Sequence, residues 1–297
     1  MFTHSLTVDF SEIGITATDK FDFVVTYIAT SSWLSDEVIG TTSNITAGTG
    51  AGVNPGPDGS ITFSSFRSYP NTWTGTADGN FNDGGNWSNG TVDTNDPLFI
   101  PGGLGTYPTL SATTTAPSIV VKSGASLTVA ANLGLTVTGN FNNAGTTTVN
   151  SGGSLIVGGT STGDITYNVN VNDTNWHLMS SPVETETYNT AWVDANLIDN
   201  TTRNVGTNIG IATYDNTSDA DGDWVFAEDG DTGNFDSGKG YSIKRDATGS
   251  DMAFTGTVKE DNASIPITAS AIGGASENRW TLIGNPYSAY IDIPSFL

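Results

Sequence analysis

One phrase occurs twice in this sequence, as VKSGASLTV at 121–129 and as VNSGGSLIV at 149–157. Each copy has a serine–glycine pair followed by alternating apolar residues, and the offset between the copies is 28 residues. Between them, NLGLTVTGNFNNAGTTTV carries more short alternating segments and Asn/Gly turn residues. Short strands in a fixed register predict stacked rungs, as in a small β-solenoid. A run of β-hairpins in an ordinary sheet is the alternative.

The composition favours strands over helices along the whole chain. Its 36 glycines, abundant serine, threonine and asparagine, and short apolar runs are typical of many short strands joined by turns. We predict an all-β chain of three parts. Residues 1–70 are a strand-rich segment, with SLTVDF and FDFVVTYIAT as strands and 41–60 as a linker. Residues 71–168 are the solenoid-like region, and 169–297 form a further domain.

The last part, 169–297, contains strand-like segments separated by turn signals. These segments are GIATYD, DWVFAED, KGYSIKR, MAFTGTV, ASIPITA and RWTLIGN. A further segment, ITYNVNV, stands just before them and runs into this part. This spacing predicts an antiparallel β-sandwich, of jelly-roll type. Tyr188, Trp192, Ala195 and Ile198 recur at helical spacing and predict one short helix.

A second repeated phrase brackets this domain: NWHLMSSP at 175–182 and RWTLIGNP at 279–286. We interpret the copies as two related strands that open and close the sandwich and lie near each other, so that the ends of the domain meet. Strand alternation predicts that Trp176 and Leu178 face the core while His177 faces outward. The proline at the end of each phrase is expected to stop strand pairing.

The charge excludes several classes of partner. Nine Lys+Arg oppose 31 Asp+Glu, for a net charge of −22. Such a field repels nucleic acids and anionic membrane surfaces. The chain has no cysteine, which removes disulfides and thiolate chemistry. It also has no apolar stretch long enough to insert into a membrane, and its first ten residues lack the pattern of a signal peptide, so we expect any secretion signal to lie outside this chain.

Several phrases together resemble a known kind of protein: TWTGTADGNFNDGGNWSNG, SGGSLIVGGTSTGDITYNV, NWHLMSSPV, SGKGYSIKRD and RWTLIGNPYSAYID. They are similar to the non-catalytic repeats of large secreted or cell-surface proteins of Bacteroidota. Those proteins commonly use the type IX secretion route and carry a separate C-terminal sorting domain. The resemblance covers residues 70–297 and implies an extracellular, non-catalytic β-rich module. No sorting domain is recognisable in this sequence.

The stretch YDNTSDADGDWVFAEDGDTGNFD, at 214–236, is the candidate metal site. Its acidic residues are Asp219, Asp221, Asp223, Asp229 and Asp231, with Asp236 beyond them. Alternate carboxylates around a glycine turn are ligands that Ca²⁺ prefers. The stretch lacks the glutamate and the flanking helices of an EF-hand. The alternative is a solvated acidic hairpin between two strands.

Two tryptophans, Trp73 and Trp87, are the candidate glycan-binding residues. Both sit among Asn, Asp and Gly, where an exposed ring would stack on a sugar and amides would bind its hydroxyls. Tyr287 and Tyr290 near the end of the chain are further aromatic candidates. The alternative, which we favour, is that the tryptophans plug an end of the solenoid or seal a domain junction, because a glycine-rich chain has little other bulk for its core.

Catalytic residues are scarce. His4 and His177 are the only histidines, and no G-x-S-x-G elbow is present. Glu184 and Glu186 are the one carboxylate pair that would suit a glycosidase. Nothing in the sequence marks these two for a shifted pKa, and we predict that the chain is not an enzyme.

The sequence therefore favours a non-catalytic structural or adhesive module of a larger bacterial surface or secreted protein. Its expected partners are the neighbouring modules of a longer chain and surface glycans. A carbohydrate-binding module attached to a polysaccharide-degrading enzyme is one alternative. A self-assembling filament or sheath subunit is another, since exposed strand edges invite strand addition and self-association.

Overall fold

The computed structural model of this protein describes residues 21–23, 25–28, 34–39, 67–92, 96–200, 206–216, 222–267, 280–292 and 294. The strand predicted for SLTVDF, the linker at 41–60 and His4 lie outside these residues. In the N-terminal part, β1 (Phe21–Phe23) pairs antiparallel with β4 (Arg67–Tyr69). β2 (Val25–Ile28) pairs antiparallel with β3 (Leu34–Ile39). Strands are therefore present where FDFVVTYIAT predicts them.

Three parallel sheets form a β-solenoid of about four turns. The first sheet contains β5 (Asn71–Thr72), β6 (Leu98–Ile100), β8 (Ile119–Val121), β11 (Phe141–Asn143) and β14 (Ser161–Thr162). The second contains β7 (Thr114–Ala116), β10 (Gly134–Val137) and β13 (Ser154–Val157). The third contains β9 (Ser126–Val129), β12 (Thr146–Val149) and β15 (Ile165–Val169). The predicted solenoid is confirmed, and the hairpin alternative is wrong because these strands pair in parallel.

The length of one turn differs from the offset of the repeated phrase. Phe141 pairs with Ile119, 22 positions earlier, and Leu155 pairs with Leu135, 20 positions earlier. The 28-residue offset therefore spans one turn plus one further side, and β9 and β13 belong to different sheets. What repeats is a corner followed by a strand. Gly124 and Gly152 occupy the same place in the two corners, with φ of 77° and 79°, a conformation that glycine adopts without strain.

The interior of the solenoid is filled by one face of each strand. In SLTV and GLTV every second residue is buried, while its neighbours are half-buried. These side chains interdigitate in a continuous apolar core, as alternating strands stacked in register must do. The residues that are 0–1% exposed here include Leu127, Val129, Leu135, Val137, Phe141, Val149, Leu155 and Ile165.

An aromatic plug closes the first turns of the solenoid. Trp73 and Trp87 are 1% and 3% exposed, and their rings meet edge to face at 5.2 Å. Phe81 packs on Trp87 at the same distance. Both indole N–H groups donate to backbone carbonyls, at 2.9 Å to Thr106 and at 2.8 Å to Phe81. The glycan hypothesis required exposed rings at Trp73 and Trp87, and the structure corrects it, because neither ring offers a face to a sugar.

The loop that carries the plug is held by the side chain of Asn86. Its Oδ1 accepts hydrogen bonds from the backbone of Ala77 and Asp78, both at 2.9 Å. Its Nδ2 donates to the Asp78 carboxylate at 2.7 Å and to the Asn80 carbonyl at 3.0 Å. A buried amide with every group satisfied stabilises one loop conformation. The phrase DGNFNDGGNW is therefore a structural cap.

The C-terminal part is antiparallel. A four-stranded sheet has the order β16 (Trp176–Met179), β21 (Tyr241–Lys244), β18 (Asn208–Asp215) and β19 (Asp223–Glu228). β17 (Thr187–Tyr188) pairs with β20 (Gly233–Asn234), and β22 (Met252–Gly256) pairs antiparallel with β15 of the solenoid. The predicted all-β fold, with a solenoid-like region and a C-terminal antiparallel part, is confirmed. The jelly-roll type of the predicted sandwich stays a prediction. Within the described residues ASIPITA forms no strand, and RWTLIGN contributes one bridge, Ile283 to Lys239.

One helix, α1 (Thr190–Ala195), begins where the sequence predicts it. It is shorter than the apolar spacing suggests, since Tyr188 belongs to β17. The Asn189 side chain caps it by accepting from the backbone of Trp192 at 3.0 Å. Trp192 packs on Phe235 and on Phe254 of β22, at 4.9 and 5.5 Å. No helix in the described part of the chain is long and apolar enough to cross a membrane.

The C-terminal part covers the open strand edges of the last solenoid turn. The backbone and hydroxyl of Ser288 bond to Leu155 on β13, at 2.7 and 2.9 Å. The Glu260 carboxylate accepts from the backbone of Ser161 on β14. β22 pairs along the whole of β15. All three sheets of the solenoid therefore end on groups from later in the same chain.

The repeated phrase NWHLMSSP/RWTLIGNP contributes to this closure. The Ser180 hydroxyl donates to the Asn285 carbonyl at 2.8 Å, so the two copies are adjacent, as the sequence predicts. Pro182 and Pro286 are both buried, and β16 ends at Met179, before the first proline. The second copy then leads directly to Ser288 and its contact with the solenoid. The phrase marks the place where the end of the antiparallel part returns to its beginning.

Candidate functional site

The four-stranded sheet buries one face and exposes the other. Ile211 and Ile243 face each other across β18 and β21 on the buried side, and each is 1% exposed. Trp176 and Leu178 lie on the opposite side and are 45% and 66% exposed. The expectation that they face the core is wrong, and His177 is the half-buried residue. Alternation along β16 holds, but the register with Ile243 puts His177 on the buried side.

A groove of about 460 Å³ runs across the exposed face. Trp176 and Phe226 line it and touch each other edge to face, with ring centroids 5.6 Å apart and planes inclined at 66°. Residues 206–210 complete the lining. Position 210 has room only for glycine, because a Cβ there would clash with the Lys244 carbonyl of the neighbouring strand. A touching pair of aromatic rings beside polar residues forms a surface on which a flat, partly apolar ligand could stack.

The aromatic surface continues to β19, at the end of the sheet. Trp224, Val225 and Phe226 are 41%, 51% and 37% exposed, three consecutive large apolar residues open to solvent. Trp224 meets Tyr214 edge to face at 5.4 Å, which fixes its ring on the same side as Phe226. We name Trp176, Leu178, Trp224 and Phe226 the aromatic face. Exposed apolar side chains gathered on one face make this the candidate site.

Carboxylates surround the aromatic face. Asp223 begins β19 and Glu228 ends it, and Asp229 and Asp231 follow directly; all four are exposed. The Asp231 carboxylate accepts from the Glu228 backbone at 2.8 Å, which tightens this turn. The cation on the same face, Lys244, is paired with Asp199 at 2.7 Å. The aromatic face is therefore set in a strongly negative field.

A family model named Domain of unknown function (DUF8693) matches residues 72–297. The chain belongs to this family. The match begins in β5, the first strand of the solenoid, and covers the plug, the solenoid and the antiparallel sheets. No curated protein and no solved structure matches the chain. In its described residues, the DUF8693 region carries the aromatic face on its four-stranded sheet.

The predicted calcium ligands of this DUF8693 member do not all meet. Asp219 and Asp221 lie outside the described residues. Asp223 and Asp229 lie at opposite ends of β19, and six residues of extended chain separate them by about 20 Å. One cation therefore cannot bind Asp223 together with Asp229 and Asp231. In the described part of the chain no three acidic or histidine side chains are grouped to hold a metal ion. Calcium at the Asp219–Asp223 turn stays a prediction.

The carboxylate pair considered for glycoside hydrolysis has structural partners. Glu184 forms an ion pair with Lys259 at 2.9 Å, and Lys259 also contacts Asp261. The Glu186 carboxylate accepts from the backbone of Thr187 at 3.0 Å and from that of Thr255 on β22. His177 contacts Asp173 at 2.7 Å, at the far end of β16. These groups hold the antiparallel part together.

The two tyrosines near the chain end also have structural partners. The Tyr287 hydroxyl donates to the Asp261 carbonyl at 3.2 Å, and the Tyr290 hydroxyl donates to the Gly152 carbonyl at 3.1 Å. Tyr290 thereby reaches the corner of the repeated solenoid phrase, although 75% of it is exposed. Both residues fasten the end of the chain.

Glu186 gives the protein a pH-dependent stability. Burial raises the pKa of Glu186, and its backbone hydrogen bonds from Thr255 and Thr187 oppose that rise. The folded protein therefore binds the proton more tightly than the unfolded chain, so this group favours folding at low pH. That contribution is lost as pH rises through the unfolded and then the folded pKa. We expect Glu186→Gln, which does not ionise, to gain stability relative to wild type between pH 4 and pH 7 (roughly the titration range of such a carboxyl).

Urea unfolding of both proteins at the two pH values measures this difference. The loss of one acceptor oxygen makes the glutamine variant less stable by a constant amount, so the change with pH is the informative quantity. Asp194→Asn is the control, because it removes an exposed carboxyl on α1 in place of a buried one. A stability difference between wild type and Glu186→Gln that is the same at both pH values would contradict the raised pKa.

Sequence reasoning missed the aromatic face for a definable reason. The segment DWVFAED alternates less clearly than its neighbours, and its three consecutive apolar residues were interpreted as an ordinary strand. Three large apolar residues in a row fit a strand with both sides covered, yet β19 lies at the end of the sheet in the described structure. Whether both sides of β19 are covered depends on the order of strands in the sheet, which cannot be read from the sequence.

Proposed function

We propose that this chain is a non-catalytic structural and adhesive module of a larger extracellular bacterial protein, in which the solenoid acts as a stiff spacer and the aromatic face attaches a partner. The resemblance to Bacteroidota surface proteins suggests this setting. The observation that carries the proposal is that each sheet of the last solenoid turn bonds to a later part of the chain: β15 along its whole length to β22, and β13 and β14 at one residue each to Ser288 and Glu260. A closed solenoid tied to its neighbouring sheets resists deformation as one body.

The same closure argues against the filament alternative. A subunit that grows by strand addition needs a free edge at each end. Here the last turn is occupied by the chain itself, and at the first turn the Ser88 hydroxyl accepts from the backbone of Thr72 on β5. The strongly negative net charge of each copy also opposes stacking. Neighbouring modules of one longer chain are the better partners for the two ends.

Mechanical unfolding tests the spacer role. A polyprotein with this chain between marker domains is pulled from its ends in a single-molecule experiment. We expect one unfolding event that releases the solenoid and the antiparallel sheets together, because β15–β22 and the Ser288 contact join them. Separate unfolding events for the two parts, at clearly different forces, would contradict the proposal that they form one stiff module.

Carbohydrate binding is the second candidate, and the groove lined by Trp176, Phe226 and Asn208 favours it. A sugar could stack on the outer face of the aromatic pair, and the Asn208 amide, also in the lining, could hydrogen-bond its hydroxyls. Affinity electrophoresis through gels containing a neutral polysaccharide tests it. Binding in the groove predicts that wild type is retarded, that Trp176→Ala is not, and that Leu178→Ala still is. Leu178 lies on the same strand as Trp176 but outside the groove. Unretarded migration in every neutral polysaccharide would remove this candidate.

A further inference from the structure

The strand β19 leaves its outer edge open. It ends the four-stranded sheet in the described structure, and Trp224, Val225 and Phe226 on it are exposed. It is six residues long, contains no proline, and has its two charged residues, Asp223 and Glu228, at its ends. Natural proteins protect edge strands with proline or charged side chains or cover them, because a bare edge is a template for another strand. The four central residues of β19 carry no charge. In the last solenoid turn β15 is paired along its whole length, whereas no described strand pairs with the outer edge of β19.

The charge at the two ends of β19 selects among possible occupants. Asp223 and Glu228 lie at its first and last positions. If β19 paired antiparallel with β19 of a second copy about its centre, Asp223 of one copy would face Glu228 of the other. Like charges directly opposite each other destabilise a strand pair, and the net charge of −22 on each copy adds to the repulsion. A second copy is therefore a poor occupant, and a strand with basic ends is a good one.

We propose that β19 binds an extended segment of another protein, with lysine or arginine at its ends and apolar residues between, as a fifth strand of the sheet. This inference rests on the adhesive part of the proposed function and names the partner class. Backbone hydrogen bonds along β19 supply affinity, as in other cases of strand addition. The basic ends lie opposite Asp223 and Glu228, and the apolar residues of the segment lie beside Trp224 and Phe226.

The aromatic face gives this surface its orientation. Trp224 and Phe226 share one side of β19, whereas Val225 lies on the other. Alternate side chains of the added strand would therefore meet either the two rings or Val225, as the pleat of a sheet requires. Phe226 also lines the groove, so the bound segment would lie along the groove's outer rim.

A pair of synthetic peptides tests the proposal on the full chain. Both contain alternating valine and threonine; one has lysines at both ends and the other has glutamates. Binding is followed by isothermal titration calorimetry. We expect the lysine peptide to bind at least about tenfold more tightly than the glutamate peptide, with affinity falling as salt is added. Equal binding of the two peptides, or no binding of the lysine peptide, would overturn the proposal.

Two variants and one modified peptide locate the binding. Asp223→Lys combined with Glu228→Lys should reverse the preference toward the glutamate peptide, and circular dichroism of the variant checks that the fold persists. Ile156→Ala, an exposed apolar residue on solenoid strand β13, should leave binding unchanged. A lysine peptide methylated on alternate backbone nitrogens should lose binding, since strand addition needs those donors. Unaltered binding of the methylated peptide would show simple charge attraction and overturn the proposal.

Light scattering of the free protein completes the test. A monomer at all concentrations agrees with the charge argument, whereas a dimer that Val225→Lys disrupts would show that a second copy occupies β19 and would overturn the proposal. Failure of the peptide experiments leaves the single unfolding event expected for the spacer unaffected. Conversely, several unfolding events would refute the spacer and leave peptide binding intact, so the two ideas fail separately.

Discussion

Replacing Arg245 with methionine is expected to lower the free energy of unfolding by about 3 kcal/mol. Arg245 follows β21 and is only 1% exposed. Its guanidinium donates to the carbonyls of Asn196, Val171 and Ser250, at 3.0, 3.1 and 2.7 Å. These carbonyls come from three separate segments, and one of them, Val171, lies just beyond the last solenoid strand. Arg245 thus fastens the helix region and the β21–β22 connection to the solenoid.

Two opposing effects decide the size of this loss. Methionine nearly fills the space and removes a desolvated charge, which is a gain, and burial does lower the pKa of Arg245. Against this, the carbonyls of Asn196 and Val171, whose bonds are buried, lose their donor, at about 1–3 kcal/mol each when left unsatisfied, while the exposed Ser250 carbonyl can turn to water. The second effect is larger, because the bonds lost are charge-assisted. Arg245→Lys should lose about half as much, since one ammonium cannot reach all three carbonyls.

Urea unfolding followed by tryptophan fluorescence measures these changes. Lys239→Met is the matched control, because Lys239 has an exposed ion pair with Asp236 at 3.7 Å, and such pairs contribute less than about 1 kcal/mol. An Arg245→Met protein as stable as wild type would show that the buried guanidinium does not join the segments.

Replacing Trp87 with alanine is expected to lower the free energy of unfolding by about 4 kcal/mol, because it removes a large buried ring and leaves a cavity. The ring is 3% exposed, lies between Trp73 and Phe81, and donates its N–H to the Phe81 carbonyl. Without it the first solenoid turns lose their plug. Trp87→Phe keeps most of the packing and loses the hydrogen bond, so we expect a loss of about 2 kcal/mol.

Trp280→Ala is the matched control for this experiment, because Trp280 is 74% exposed. Surface substitutions of this kind change stability by no more than about 0.5 kcal/mol. Chemical unfolding of the three variants beside wild type gives the order directly. If Trp87→Ala and Trp280→Ala had the same small effect, the plug would not stabilise the solenoid.

The solenoid could be predicted from sequence because its signal is local. Segments such as SLTV and GLTV alternate cleanly, and glycine corners separate them at regular intervals. The length of a turn could not be predicted in the same way. Each turn has three similar corners, so the best-matching copies of a corner need not lie one turn apart. Gly124 and Gly152 match in sequence and conformation, yet their strands belong to different sheets.

Which side of a strand is buried depends on its neighbours in the sheet. The alternation of Trp176, His177 and Leu178 was correct, and the assignment of faces was wrong, because β16 pairs with a strand whose isoleucine lies opposite His177. Trp73 and Trp87 are buried, as the favoured interpretation predicts, whereas Trp176, predicted to face the core, is exposed, as is Trp224. Tryptophan content alone does not distinguish a plug from a binding surface.

The candidate site depended on long-range pairing and was therefore beyond the sequence. Trp176 and Phe226 are 50 positions apart in the chain, and the sheet order and the glycine at position 210 bring their rings together. The adjacency of the two copies of the tryptophan phrase could be predicted, since copies that open and close a domain have reason to meet. Ser180 and Asn285 confirm it.

Native-state hydrogen exchange in increasing denaturant tests most directly whether the solenoid and the antiparallel sheets are one structural unit. The amides of β10, β12 and β13 report on the solenoid, and those of β18 and β21 report on the four-stranded sheet. We expect the most protected amides of both groups to exchange through the same opening, with equal free energy and equal dependence on denaturant. If the sheet amides opened at a much lower free energy while the solenoid amides stayed protected, the two parts would be independent and the single stiff module would be contradicted.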